Sequence, residues 1–493
     1  MLGIKPNDKI ISNSLSEGVN SLVLVLSKIN IKLDLLIAVF VVITLFFGVA
    51  ADAAIMYYVF SFVPIALVFY AICFILNHKI TAMFYFVALF VGMVNFSPAN
   101  LVNIMLADLL FPGLVLSLLF SNKLTKEDIC SPIFISLSVL CGFAILSALF
   151  GIFFTPNYFP ELLNTNYTIA FHIYRFLQLP VVYLFVINSM KVSNSVEKII
   201  IYSVLFQMFL VFLQLFVFQT NSDGRMRATG TLFENHMVIG LYIMTFIPLL
   251  IVCLRNKKDF RAKVFWLTLA VYSVYIIIAA SARSVLLGLT AAVAALVFFN
   301  LRFNKKAIGI VVSSVIIAFF VFRFMPVQET IDRTFSGGNA NVRSLDVSSY
   351  SRLFIWRGSL TVFENSSLFH KITGKGPGTF AGLDLIIMQL DGRRQATAAH
   401  NNFLHTLIEI GIIGTILFLA HFVIIIFYFL KKKNFTALVF ACVTIGLLVS
   451  GFTQESFWVN GGNHYWMYYI TILAIFVSMF ESKRKENYVF GER

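Results

Sequence analysis

Charged side chains are scarce in this chain: they make up only 12% of its 493 residues, and just 23 residues are acidic. Soluble domains run near 25% charged, so a water-soluble fold is excluded. Cysteine is equally sparse. Its five copies, Cys73, Cys130, Cys141, Cys253 and Cys442, lie inside or at the ends of apolar runs, and no pair has metal-ligand spacing. That placement argues against a disulfide framework or a zinc site and leaves packing as their role. The first 31 residues lack the charged, apolar, small-residue order of a cleavable signal, while 15–29 suit an amphipathic segment on the inner leaflet. No internal repeat or low-complexity tract stands out.

Apolar residues fill the space left by charge. The chain is 59% hydrophobic, with 55 Phe and 18 Tyr, and its mean hydropathy is +0.89. Aromatic side chains in such numbers suit a lipid-facing surface with belts at its edges. Runs long enough to cross ~30 Å of hydrocarbon fall at 35–50, 53–76, 80–96, 101–120, 132–154, 173–190, 198–219, 235–254, 264–280, 284–301, 307–324, 407–430, 435–452 and 465–480. The pattern predicts an all-α polytopic membrane protein with about 14 transmembrane helices and one large outer loop. In that organisation 1–34 is a cytoplasmic N-terminal segment and 35–324 holds the first eleven spans. The polar stretch 325–406 is the outer loop, 407–480 holds the last three spans, and 481–493 is a cytoplasmic tail.

The net charge of +14 reflects orientation and not nucleic-acid binding. With the N-terminus inside, 24 of the 37 basic residues fall in inner segments, whereas the outer turns 51–52, 97–100, 155–172 and 453–464 hold none. Both termini are therefore predicted on the cytoplasmic side. The other 13 basic residues differ in kind. Inside, Lys outnumbers Arg 19 to 5; in this remainder Arg outnumbers Lys 11 to 2. Lysine suffices for topology, but a planar guanidinium fork suits phosphate or carboxylate. A long loop escapes the charge rule, which accounts for Arg333 and Arg343. It accounts poorly for Arg227 and Arg283, which sit in short outer turns. A phosphate-rich, lipid-linked ligand on the outer face is the leading expectation.

Three stretches carry candidate chemistry. The first, Arg225-Met-Arg227-Ala-Thr-Gly-Thr-Leu-Phe233-Glu-Asn235-His236, precedes a span that Glu234 and Asn235 are suited to cap. The second, Ser281-Ala-Arg283-Ser284, is a tight outer turn whose flanking helices offer the arginine no partner; a snorkelling role at a headgroup is the alternative. The third includes Arg352 through Trp356-Arg357, then Gly374-Lys-Gly376-Pro-Gly378-Thr-Phe380, then His400-Asn401-Asn-Phe-Leu-His405, then Glu409-Ile-Gly411-Ile-Ile-Gly414. The glycine run can be read as a phosphate-cradling nest or as a plain turn. It lacks the Gly-Lys-Ser/Thr ending and the preceding strand of a nucleotide loop. His400 and His405 are five apart, a poor spacing for shared metal ligation on one helix face. His400 at an outer rim suits a general base, with a hydrogen-bonded structural residue as the alternative. Arg175 either joins the arginine set or pairs with Asp108, another intramembrane charge.

Taken together, from about Tyr202 to Gly414, these stretches resemble the O-antigen ligase and Wzy-type polymerase superfamily of bacterial membrane glycosyltransferases. The resemblance rests on Arg227-Ala-Thr-Gly-Thr-Leu-Phe, Ser281-Ala-Arg283-Ser-Val-Leu-Leu-Gly, Arg352 with Trp356, the glycine run, Ala399-His400-Asn401-Asn-Phe-Leu-His and Glu409-Ile-Gly411-Ile-Ile-Gly414. One departure is Glu234-Asn235-His236, where the family often shows Asn-Pro-Asn. The resemblance implies a GT-C-like, metal-independent and cofactor-free enzyme of the bacterial inner membrane, working on the periplasmic face. Its implied donor is an undecaprenyl-diphosphate-linked oligosaccharide and its acceptor another glycan, with membrane lipid and a Wzz-type chain-length regulator as partners and no nucleic acid. It implies His400 as catalytic base. Arg227, Arg283 and Arg352 would bind diphosphate and substrate, with Arg225, Arg175, Arg357 and Asn401 as further members. Glu409, Glu234 and Glu455 are alternative orienters of His400. Polymerisation of repeat units is favoured, transfer of the finished glycan by a ligase is the alternative, and a lipid-linked oligosaccharide flippase is the second alternative.

Overall fold

In hydrocarbon, every backbone N–H and C=O must find its partner inside the segment, which leaves the helix as the open choice for a single span. The computed structural model describes residues 85–87, 89, 95–96, 104–120, 124–154, 165–192, 195–217, 221–222, 225–226, 236–256, 259–280, 283–303, 352, 355–380, 399–454, 457 and 465–490, and these are predominantly helical. The helices are α1 (Leu106–Phe120), α2 (Lys126–Ile129), α3 (Pro132–Phe154), α4 (Thr165–Val192), α5 (Ser195–Phe212), α6 (His236–Asn256), α7 (Phe260–Ala279) and α8 (Arg283–Phe303). After a helical segment at 355–364 come α9 (Leu368–Thr373), α10 (Asn402–Glu409), α11 (Gly411–Leu430), α12 (Phe435–Ser450) and α13 (Tyr465–Phe490). A π-helical turn, Leu213–Val217, continues α5. Two antiparallel ladders of two-residue strands pair Asn95–Phe96 with Ile104–Met105 and Asn221–Ser222 with Arg225–Met226.

Six helices among the described residues are long and apolar enough to cross a membrane: Pro132–Gly151, His172–Lys191, Val196–Val217, Val238–Asn256, Phe260–Ala279 and Gly411–Leu430. Each is near 20 residues, and at ~1.5 Å per residue that spans ~30 Å of hydrocarbon. Shorter apolar helices accompany them, including Ser284–Asn300, Phe435–Ser450 and Tyr465–Glu481. The chain is thus an α-helical polytopic membrane protein. Nine of the sequence-predicted runs coincide with described helices. Those at 35–50, 53–76 and 307–324 lie outside the described residues, and only parts of 80–96 lie within them.

The bundle has two chemically different ends. At one, Lys191 pairs with Asp128, the Arg255 guanidinium donates to the Thr436 hydroxyl at 3.4 Å, and Tyr428 donates to Glu481 at 3.2 Å. Lys432 lies 4.3 Å over the Tyr428 ring at the same end. At the other end lie the last turns of α3 and α12 and the first turns of α6 and α8. The packing there is close. A Cβ on Gly240 of α6 would sit 3.2 Å from Val285 of α8, and one on Gly288 of α8 would sit 2.6 Å from the Gly446 carbonyl of α12. Small residues allow this backbone approach, the usual device of helix packing in lipid.

One predicted span is divided. The run 407–430 is two helices, α10 and α11, that meet at Ile410. Gly411 takes φ +67°, and a Cβ there would fall 2.3 Å from the Ile372 carbonyl. The loop carrying α9 presses against the chain at this point, so backbone takes the place a side chain would fill.

Candidate functional site

The glycine run and α10 form one unit, organised by a buried carboxylate. Glu409 Oε1 accepts from the Gly378 N–H at 2.9 Å and the Phe380 N–H at 3.0 Å. It also lies 3.2 Å from Nε2 of His405, one helical turn earlier. The Glu409 side chain is almost wholly enclosed. Burial alone would raise its pKa, but His405 as charge and hydrogen-bond donor, the field of His172 and the Phe380 N–H together hold it below the ordinary carboxylate range. The Phe380 ring stacks on His405, with centroids 4.7 Å apart.

Backbone bonds complete the unit. Lys375 N–H donates to the Ile408 carbonyl at 3.0 Å and Gly376 N–H to the Glu409 carbonyl at 2.9 Å, while Gly374 N–H donates to His370 and Thr379 N–H to Gly376. Ser147 of α3 donates to the same Glu409 carbonyl at 2.8 Å. Gly374 has φ +82° and no room for a Cβ, which would lie 2.2 Å from the Glu409 carbonyl. These bonds decide between the two readings of the glycine run. Its N–H groups turn inward and cradle the protein's own carboxylate, so it is an anchored turn with no free nest for an external phosphate.

His400 lies two residues before α10, the helix of this unit. Its φ is +49°, a left-handed conformation uncommon outside glycine. The residues on either side are fixed. Ala399 accepts from the Trp356 indole N–H at 3.0 Å, and Asn401 caps α10 by accepting from the N–H groups of Phe403 and Leu404. Asn402 ties the unit to the bundle, its N–H donating to Gly451 at 2.8 Å and its side-chain oxygen accepting from Phe457 at 3.3 Å. Ile355, Phe380, Ala399 and Ile408 form a small apolar core beneath.

The structure brings His400 and the start of α8 to the same end of the bundle. Gly288, five residues into the helix that Arg283 opens, packs on Gly446 and Ser450 of α12, and Gly451 contacts Asn402. The Arg225–Met226 strand lies ten residues before α6, whose Gly240 packs on Val285 of α8. Arg227, Glu234 and Glu455 lie outside the described residues. Arg352 is half-buried, and Arg357 is exposed on the 355–364 segment. Arg175 is placed differently: it is fully buried and 3.1 Å from Asp108, whose other oxygen accepts from Gln178 at 3.0 Å. Of its two expected roles, pairing with Asp108 is the one observed.

Sequence reasoning passed over His405 as a partner of Glu409. The signal was present, since four residues on a helix bring two side chains together.

Residues 268–419 match the O-antigen ligase family model. The likeness covers this part of the chain. It runs from α7 into α11 and so takes in Arg283, the 355–364 segment, the glycine turn, His400 and the His405–Glu409 pair. Arg175 and its partner Asp108 lie outside the matched stretch. No curated protein matches the chain. That match agrees with the resemblance carried by the sequence motifs and supports a kinship of this stretch with the O-antigen ligase and Wzy superfamily.

Proposed function

We propose that the chain is a glycosyltransferase that polymerises glycan repeat units carried on undecaprenyl diphosphate, working at the periplasmic face of the bacterial inner membrane. The observation that carries this reading is the site at one end of the bundle, where a strained His400, held between two anchored neighbours, shares that end with the helix that Arg283 opens. It lies at the end opposite Lys191, Arg255 and Lys432, so the positive-inside rule puts it outside.

In the proposed reaction an acceptor sugar hydroxyl attacks the anomeric carbon of the donor glycan. The bond from that carbon to the diphosphate oxygen breaks, and the electron pair leaves with undecaprenyl diphosphate. His400 takes the hydroxyl proton. Arg283, with Arg227 and Arg352, offsets the charge that grows on the leaving diphosphate. Asn401 acts by capping α10, which holds His400 in place. Arg175 serves the fold through Asp108.

Transfer of a finished glycan to lipid A–core or protein is a second reading, favoured by the family description of the matched domain. Purified protein in vesicles with lipid-linked repeat units separates the readings. Longer lipid-linked glycans are expected; a product formed only on a lipid or protein acceptor would establish the ligase, and leaflet transfer with no new bond would overturn both. His400→Ala should abolish product while the protein still inserts and elutes as wild type.

A further inference from the structure

Helix α9 belongs to the stretch read from sequence as a polar outer loop, yet it leaves apolar side chains uncovered. Leu368 is 73% exposed, Phe369 43% and Ile372 37%. They do not stand alone. The Phe369 ring meets Phe150 in the last turns of α3 at 5.4 Å, edge to face. The Ile372 carbonyl abuts Gly411, the first residue of α11. Beside these contacts, Leu149 of α3 and Ile412 and Ile413 of α11 are themselves exposed. The apolar surface of α9 is therefore continuous with that of two candidate spans.

The level of α9 follows from the same contacts. Gly411–Leu430 is 20 residues of apolar helix, about the ~30 Å thickness of the hydrocarbon core at ~1.5 Å per residue. Gly411 thus marks the hydrocarbon boundary, and α9 touches it there. An exposed Leu-Phe pair and an isoleucine one turn later suit the boundary between headgroup and acyl chain, where a short helix buries its apolar side and leaves polar neighbours such as His370 in the wet layer.

We infer that α9 is an interfacial anchor, inserting Leu368, Phe369 and Ile372 into the outer leaflet. The partner is the lipid surface itself. Through Gly374 and the Lys375 and Gly376 N–H bonds to Ile408 and Glu409, the anchor sets the height of the glycine turn, and hence of His400, above the bilayer. The inference rests on α3 and α11 crossing the membrane and is independent of the reaction performed.

The test is a spin label at Leu368→Cys, with the five native cysteines replaced by alanine, in vesicles of phosphatidylethanolamine and phosphatidylglycerol. Glu364→Cys, at an exposed position of the 355–364 segment, is the aqueous reference. Expected is more collision with dissolved oxygen than with a water-soluble nickel chelate at 368, and the reverse at 364. Greater access to the chelate at 368 would overturn the anchor. So would loss of access to both probes, whether from a second copy (dipolar broadening between labels) or from another part of this chain. If the cysteine-free protein does not fold, Leu368→Trp in the native background gives the same contrast: the added fluorescence should be quenched by brominated acyl chains and not by iodide. Quenching by iodide alone would overturn the proposal.

Discussion

A carboxylate that accepts two backbone N–H groups and a histidine leaves three donors stranded when it is removed. Glu409→Ala should cost about 3 kcal/mol, read as a lower thermal unfolding midpoint in detergent; an unchanged midpoint would show that the glycine turn is held by other bonds. The same group carries a pH dependence. Its folded pKa lies below the ordinary 4.5, so on acidification the unfolded chain takes up this proton first. The contribution is complete above the ordinary value and fades as pH falls through the lower folded one. Wild type should therefore lose stability on acidification below pH 4.5, and Glu409→Gln should lose less over the same interval. Arg283 makes a separate case. Replacing its fork with lysine keeps the charge but not the bidentate geometry, so Arg283→Lys should lower transfer at least tenfold in the lipid-linked glycan assay. Full activity would show that charge alone matters there.

Among the elements, the junction of α10 and α11 is the most constrained. Gly411 has a positive φ, and a Cβ there would fall 2.3 Å from the Ile372 carbonyl and 2.5 Å from the Gly374 nitrogen. A left-handed conformation costs an alanine roughly 1–2 kcal/mol, and here the loop must also move aside. Gly411→Ala is expected to lower the unfolding midpoint and to loosen the glycine turn, seen as faster amide exchange at Lys375 and Gly376. Those two N–H groups report directly, because both bond to α10 carbonyls. Midpoint and exchange rates like wild type would count against a wedge at this junction.

For the whole molecule, the Arg175–Asp108 pair links α4 to α1 deep in the bundle, with Gln178 on the second carboxylate oxygen. A buried pair is costly to break and less costly to replace entirely. Arg175→Met alone should destabilise by roughly 3–5 kcal/mol, whereas Arg175→Met with Asp108→Leu should recover most of that loss in the unfolding midpoint. A donor-binding role would predict something else: a stable single variant with a raised KM for lipid-linked glycan.

Much of this protein was determined by its sequence. Membrane class follows from composition, and the helices within nine of the apolar runs from run length, because lipid punishes unpaired polarity so strongly that a one-dimensional pattern suffices. The motifs at Arg283, His400 and Glu409 also lie at one end of the bundle. Three matters needed the tertiary structure. The cradle of the glycine run is filled by Glu409, a residue some thirty positions away. The span predicted at 407–430 breaks at Ile410 because α9 presses on Gly411. And Arg175, whose type alone suggested a phosphate ligand, is matched by Asp108. Each turns on a partner distant in the chain, and contacts near 3 Å identify partners that composition and spacing leave equivalent.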